Sequence, residues 1–339
     1  MVPAQATPRT AAAIAAANPD GFQADSARFT GWERTTLLDA VYTGLRAAPV
    51  QELVDRQLDA LFGGLADLRQ ERRPDEWREM IARCRQHPVR ELVHQDPFTS
   101  RAYSKPRGYA GDAVMIDYIY GREELWPEPD ATPLGRAIFR YTTAAPASAG
   151  VRCRRGFVAE FLDRLTESLP HPHVLSVAAG HLREAALSSA ARRRRLGRFV
   201  ALDSDPESLK DVVACYGPYG VETCHADLRK LLAGRSGLGR FDLVYSTGLF
   251  DYLHETTGRR LVRNMFEILN PGGRLLLANF LPDIRDIGYM EAFMDWNLVY
   301  RTRHEMLELT RDVPQREIHS LRIFAEENQN IIFLEVCRR

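Results

Sequence analysis

From Glu33 to Gln86 the apolar positions recur at helical spacing in three pieces, LLDAVYTGL, VQELVDRQLDALFGGLADL and DEWREMIARCRQ. In the middle piece Leu53, Leu58, Leu61 and Leu65 fall on roughly one face. Asp75, following Pro74, is placed to cap the third helix. These pieces make a helical N-terminal subdomain over 1–93, whose first 30 or so residues, rich in alanine and polar side chains, are expected to be frayed. The pattern breaks at HQDPFTSRAYSKPRGYAGDAVMIDYIYG, residues 94 to 121, where aromatic, glycine and charged residues crowd ahead of a short helix, AVMIDYIY. With the irregular, proline-bearing stretch after it, this forms a lid or linker region over 94–150. A helix then begins near Val151.

From His173 the alternation becomes strand, helix, strand. HVLSVAA, RFVALDSD, GVETCHADL, FDLVYSTGLF and GRLLLANF read as five strands. GHLREAALSSA, PESLKDVVACYG and GRRLVRNMFEILNPGG read as helices between them, which implies a parallel sheet with right-handed crossovers. A helical insertion, IGYMEAFMDWNLVYRTRHEMLELT, occupies about 284–312. EIHSLRIFA and NIIFLEVC close the chain as a hairpin, so the last strand runs antiparallel. Residues 151–339 are thus an α/β domain with a Rossmann-like sheet.

Composition narrows the function. Apolar residues make up 45% of the 339, enough for a sizeable core, and 45 basic residues balance 45 acidic ones. Zero net charge argues against nucleic acid as the main partner, and ARRRRLGR at a helix end reads as a solvated loop. The five cysteines are scattered, without a CxxC pair or a histidine cluster, as expected of reduced thiols and not of a zinc site or disulfide framework. The N-terminus is too poor in large apolar residues for a signal peptide, and no stretch approaches the ~20 apolar residues of a membrane span. The expectation is a cytoplasmic protein with no membrane partner and no metal, for which a homodimer stays open.

In a doubly wound sheet the ligand lies beyond the carboxyl ends of the strands, and candidate residues follow consecutive strands here. Ala178 and Gly180, in SVAAGHLRE, let a ligand lie against the backbone. Leu182 stands where a dinucleotide fingerprint has its third glycine, which counts against a pyrophosphate and hydride chemistry. Asp203 ends the second strand, where a carboxylate can accept both hydroxyl protons of a ribose. Asp227, with Leu228 beside it, follows the third strand and faces an adenine amino group. Ser246, Thr247 and Gly248 follow the fourth, toward the reacting end, and Asn270-Pro271-Gly272-Gly273 precedes the fifth. Surface acids at the strand ends of an unrelated α/β protein are the bland alternative.

This ordered series resembles class I S-adenosylmethionine-dependent methyltransferases. The resemblance implies a seven-stranded sheet with an antiparallel last strand. It also implies S-adenosylmethionine as cofactor, S-adenosylhomocysteine as product, and no metal. A cofactor without pyrophosphate needs no full glycine fingerprint, so Ala178 for glycine and Ser176 for the common acid are tolerable. RAYSKPRGYAGD, residues 101–112, adds a lid. Arg107 and Lys105 suit a carboxylate, Tyr103 and Tyr109 suit a sulfonium or an adenine ring, and Gly108 and Gly111 permit tight turns. An ordinary basic loop is the alternative. KPRGYAGD, SVAAGxxRE, LDSD, GLFDYL and DWNLVYR together are similar to the 3-hydroxypalmitic acid methyl ester synthase family. They are also similar to a small-molecule arginine N-methyltransferase of streptozotocin biosynthesis.

The acceptor set lies in LFDYLHE and MEAFMDWNLVYR. Glu291 and Asp295 are four apart on a presumed helix face, as are Trp296 and Tyr300. Tyr252 and His254 are placed to orient an acceptor, and Arg301 and Arg303 to anchor its carboxylate, with Asp251 and Asn279 completing the set. A solvated acidic stripe beside an aromatic core contact is the competing reading. The acid and aromatic mixture favours a small cationic acceptor, a guanidino nitrogen of free arginine. Glu291 and Asp295 are then the carboxylates and Tyr252 the orienting group. Carboxyl O-methylation of a 3-hydroxy fatty acid is the runner-up. An inactive cofactor-binding or interaction protein is the reading from another class.

Overall fold

The computed structural model describes residues 31–47, 49–121, 130–233 and 237–339, so the expectation of a frayed N-terminus lies outside the described residues. Seven strands form one sheet in the order β3-β2-β1-β4-β5-β7-β6. They are β1 (His173–Val177), β2 (Arg198–Asp203), β3 (Val221–His225), β4 (Phe241–Ser246), β5 (Leu269–Phe280), β6 (Ile318–Ala325) and β7 (Ile331–Arg338). The first five pair in parallel, and β7 enters between β5 and β6 antiparallel to both. Val174, Leu175, Leu243 and Val244 are fully buried, as befits central strands covered on both faces. The expected Rossmann-like architecture with its antiparallel hairpin is therefore present. One detail differs, because β5 starts ahead of the NPGG sequence and takes it in as a bulge. Phe241 pairs with Leu269 but Leu243 with Arg274, and Gly272 supplies the positive φ of 77°.

Eight helices precede the sheet among the described residues: α1 (Gly31–Ala47), α2 (Gln51–Glu71), α3 (Pro74–Gln86), α4 (Val89–Val93), α5 (Pro97–Ser104), α6 (Ala113–Tyr120), α7 (Pro133–Thr142) and α8 (Pro146–Ser168). The buried face of α2 is Val54, Leu58, Leu61, Phe62, Leu65 and Leu68, with Val54 in place of the expected Leu53. α3 starts at Pro74 itself, so Asp75 sits in its first turn instead of capping it. Proline suits the first helical position, where its missing N–H costs nothing. The same effect hides two more starts. Thr132 caps α7, its hydroxyl accepting the Gly135 N–H, with Pro133 first in the helix. Pro146 likewise opens α8 five residues before Val151.

Within the α/β domain follow α9 (Glu184–Leu187), α10 (Ser189–Arg192), α11 (Pro206–Tyr216), α12 (Leu228–Leu232), α13 (Glu255–Glu267), α14 (Ile287–Phe293) and α15 (Arg303–Glu308). Two expected helices are broken. GHLREAALSSA is a turn and two one-turn helices, and the insertion is helical only over α14 and α15. Asp295 adopts a left-handed φ of 47°, and residues 294–302 run as irregular chain. The N-terminal helices share one core with the sheet domain through α14. Phe62 stacks on Tyr289 with ring centroids 4.3 Å apart. A Cβ on Gly288 would lie 2.8 Å from the Leu65 backbone, so only glycine permits this approach of α14 to α2.

Candidate active site

The turn after β1 explains how one glycine suffices where a fingerprint has three. Ala178, Gly180 and Leu182 all have positive φ, 55°, 53° and 53°. The backbone therefore keeps the left-handed conformation of the missing glycines, at a cost of roughly 1–2 kcal/mol for each L-residue. Leu182 is 1% exposed, and burial of its side chain offsets that cost. The Gly180 N–H donates to Asp203 Oδ2 at 2.8 Å, and the Asp205 N–H to Oδ1 at 2.8 Å. Asp203 is thereby fixed at the end of β2, and each oxygen keeps a further lone pair for a ligand. The turn, Asp203 and Ser204, and Thr247 and Gly248 beyond β4 bound a cavity of about 390 Å³, within the roughly 300–1,000 Å³ of small-molecule sites.

Its opposite side is built where three sequence motifs meet. Gly111, from KPRGYAGD, packs so tightly that an added Cβ would come 2.3 Å from the Tyr252 hydroxyl. Tyr252, from GLFDYL, accepts the Trp296 indole N–H at 2.9 Å, and Trp296 belongs to DWNLVYR. Tyr109 stands edge-on to Tyr252 at 6.3 Å. Asp251, in the 3-10 turn after β4, is 2% exposed and accepts the Phe280 N–H through Oδ1 at 2.8 Å. Burial pushes its carboxyl up to about 7, against the opposing pull of Arg154, that hydrogen bond and Arg301. Tyr109, Gly111, Asp251, Tyr252 and Trp296 all face the cavity.

Residues 174–273 match the profile of a family described as "Methyltransferase domain". Residues 174–273 are thus a methyltransferase domain. No curated protein shows significant sequence similarity to the chain. Among solved structures, a possible exported protein from Bordetella parapertussis is 20% identical over 66% of this chain and 79% of its own, with a TM-score of 0.52. That likeness is one of fold. Magnesium protoporphyrin IX methyltransferase from Synechocystis PCC 6803 is 12% identical over 67% of this chain and 99% of its own, with a TM-score of 0.45. The N-methyltransferase NodS from Bradyrhizobium japonicum WM9 is 14% identical over 55% and 94%, at 0.40.

The donor set of the methyltransferase fits its cofactor. Asp203 holds a carboxylate, fixed by two backbone N–H groups, that could accept from a ribose diol, the turn at Ala178 and Gly180 allows close approach, and Arg154, on α8, is a buried cation on the wall. Among the described residues no group of three or more metal-ligating side chains occurs, and no helix is long and apolar enough to cross a membrane.

Other expected site residues lie off the cavity. The premise that Glu291 and Asp295 share a helix face does not hold, because α14 ends at Phe293. Glu291 accepts Arg69 Nε at 3.0 Å and Trp77 Nε1 at 2.6 Å. Asp295 pairs with Arg85 at 2.8 Å and with Lys105, and these cations hold its carboxyl below the usual range despite partial burial. Trp296 and Tyr300 are likewise not on a helix, and the Tyr300 ring carries the Arg69 guanidinium at 5.7 Å. Arg301, 3% exposed, donates to the carbonyls of Phe250 and Leu253 and to Asn279 Oδ1, so it braces two loops. The Asn279 amide group donates to the Val299 carbonyl.

On the cofactor side, Ser246 donates to the Val177 carbonyl between two strands, at 2.8 Å. Asp227 is exposed and accepts the Lys230 N–H of α12 at 3.1 Å; the side chain of Leu228 lies outside the described residues. In RAYSKPRGYAGD, Tyr103 packs against His94 and under Arg90. Arg107 reaches Asp205 at 2.8 Å and Ser208 at 3.1 Å. The segment 101–112 is thus tied down by Lys105 toward Asp295 and by Arg107 toward the start of α11.

Sequence reading missed Asp117, Tyr120, Arg154, His181, Arg183 and Glu184, all on the wall. One signal was present: Asp117 is the lone charge in the apolar helix AVMIDYIY, and a carboxylate buried there needs partners.

Proposed function

We propose that the enzyme methylates a small molecule at a nitrogen that loses a proton in the reaction, with a guanidino nitrogen of free L-arginine as the favoured acceptor in a biosynthetic pathway. The observation that carries this reading is Asp251. It faces the cavity, its Oδ1 is satisfied by Phe280, and its Oδ2 has no protein donor among the described residues. A carboxyl held at about 7 is matched to general-base work near neutral pH.

S-adenosylmethionine supplies the electrophilic methyl carbon. The chain's part is to aim the acceptor nitrogen at it, exclude water and take the proton. Tyr109, Tyr252 and Trp296 form an aromatic surface suited to cations, and Asp251 receives the proton as the new N–C bond forms. Two positive charges ~4 Å apart repel by about 4 kcal/mol at an effective dielectric of 20. An ionised Asp251 offsets that repulsion. Here the role first read for Glu291 and Asp295 passes to Asp251, because those two are already neutralised by cations. Arg154 lends its support to the second reading, carboxyl O-methylation of a 3-hydroxy fatty acid. A carboxylate has no proton to lose, however, and would face Asp203, Glu184 and Asp251 on the same wall.

Asp251→Asn keeps a carbonyl for the Phe280 N–H and removes the base. Turnover with arginine should fall by about 10²–10⁴-fold, while calorimetry finds S-adenosylhomocysteine affinity unchanged. The wild-type rate should rise with pH through about 7 as Asp251 loses its proton, and the variant should lack that limb. Full turnover in Asp251→Asn removes the base, and methyl transfer to 3-hydroxy fatty acids but not to arginine hands the function to the second reading.

A further inference from the structure

Beside Gly180 stands a cluster to which the mechanism above gives no work. Arg183 donates to both oxygens of Asp117, at 2.8 and 2.7 Å. His181 Nδ1 lies 2.7 Å from Asp117 Oδ2. Two lone-pair acceptors do not settle at that distance, so Nδ1 carries the hydrogen and donates it. Arg183 Nη2 lies 3.1 Å from the same nitrogen. In the neutral imidazole the other ring nitrogen, Nε2, is then the acceptor. The residue is 7% exposed and sits on the cavity wall, yet Nε2 has no hydrogen-bond partner among the described residues. A buried acceptor held this firmly, and left open on a ligand-sized cavity, is one the ligand completes.

We propose that His181 Nε2 accepts a hydrogen bond from the protonated amino group of an amino-acid end bound in this cavity, with Arg154 the cation for the accompanying carboxylate. The inference rests on the cavity's being the S-adenosylmethionine site. Two sources share this chemistry, the methionyl end of the cofactor and an amino-acid acceptor.

His181→Asn tests it, because the Asn amide keeps a donor near Nδ1 for Asp117 and deletes Nε2. His181→Gln, which restores an acceptor near Nε2, is the rescue. Calorimetry uses S-adenosylhomocysteine, its decarboxylated analogue that keeps the amine, and methylthioadenosine, which lacks the amino-acid end. With the cofactor as source, His181→Asn weakens the first two at least ~10-fold, the loss expected for a hydrogen bond to a charged group, and leaves methylthioadenosine alone. With the acceptor as source, all three are unchanged and the KM for arginine rises by a similar factor. Rescue by His181→Gln accompanies either result. The proposal is overturned if nothing moves, if methylthioadenosine weakens equally, or if only the carboxylate-bearing ligand is affected. Failure of the wild type to bind S-adenosylhomocysteine would instead sink the reading of the cavity itself.

Discussion

Glu291→Gln separates a residue that holds the fold from one that handles substrate. Glu291 Oε2 takes both Arg69 Nε, at 3.0 Å, and Trp77 Nε1, at 2.6 Å, and so ties α14 to α2 and α3. The side chains are 30% and 11% exposed for Arg69 and Glu291. That places the pair between exposed pairs, worth about 0–1 kcal/mol, and buried ones, whose breakage costs about 3–5 kcal/mol. The amide still accepts the indole N–H but offers Arg69 no charge. Water at the Arg69 end takes up part of the loss, so about 1.5–3 kcal/mol of stability should go. Urea unfolding reads this as a lower midpoint at constant slope. A cycle with Arg69→Met should give a coupling of about 1–2 kcal/mol. Turnover per folded molecule should stay within about threefold, since the carboxylate does not reach the cavity. Unchanged stability with a hundredfold loss of turnover would refute the reasoning and return Glu291 to the acceptor.

Two further outcomes follow from the packing. Gly111→Ala drives a Cβ to 2.3 Å from the Tyr252 hydroxyl and 3.1 Å from the Trp296 ring. It should cost about 1–3 kcal/mol and speed proteolytic cleavage within 101–112; cleavage at the wild-type rate would mean the lid does not depend on that contact. Asp203→Ala removes the acceptor for the Gly180 and Asp205 N–H groups and should weaken S-adenosylhomocysteine by roughly 1.5–3 kcal/mol. Unchanged affinity by calorimetry would take Asp203 out of the site.

What could be read from the sequence divides along a physical line. Residues at strand ends were legible, because in a parallel sheet the topology alone carries the ends of β1, β2 and β4 to one crevice. Gly180, Asp203, Thr247 and Gly248 needed no knowledge of any distant contact. The three motifs were legible as motifs, but their meeting at Gly111, Tyr252 and Trp296 was not. Proline misled twice, at Pro133 and Pro146, because it breaks a helix interior and opens a first turn equally well. The failure in the insertion has a deeper cause. MEAFMDWNLVYR has helical spacing, and on an isolated helix Glu291 and Asp295 would have shared a face. In the folded chain Arg69 and Trp77 claim one carboxylate, and Arg85 and Lys105 the other, across about 190 to 220 residues of sequence. Tertiary partners override a local period when they can neutralise half-buried charges that the helix would leave unpaired. The same reasoning run backwards identifies the side chains that remain open for chemistry. Glu291 and Asp295 have found their cations within the chain, whereas Asp251 Oδ2 and His181 Nε2 face a cavity with no protein donor among the described residues. Polar atoms that folding leaves unsatisfied on a cavity wall are the ones a ligand can complete, and here both lie on the crevice that the sheet topology creates.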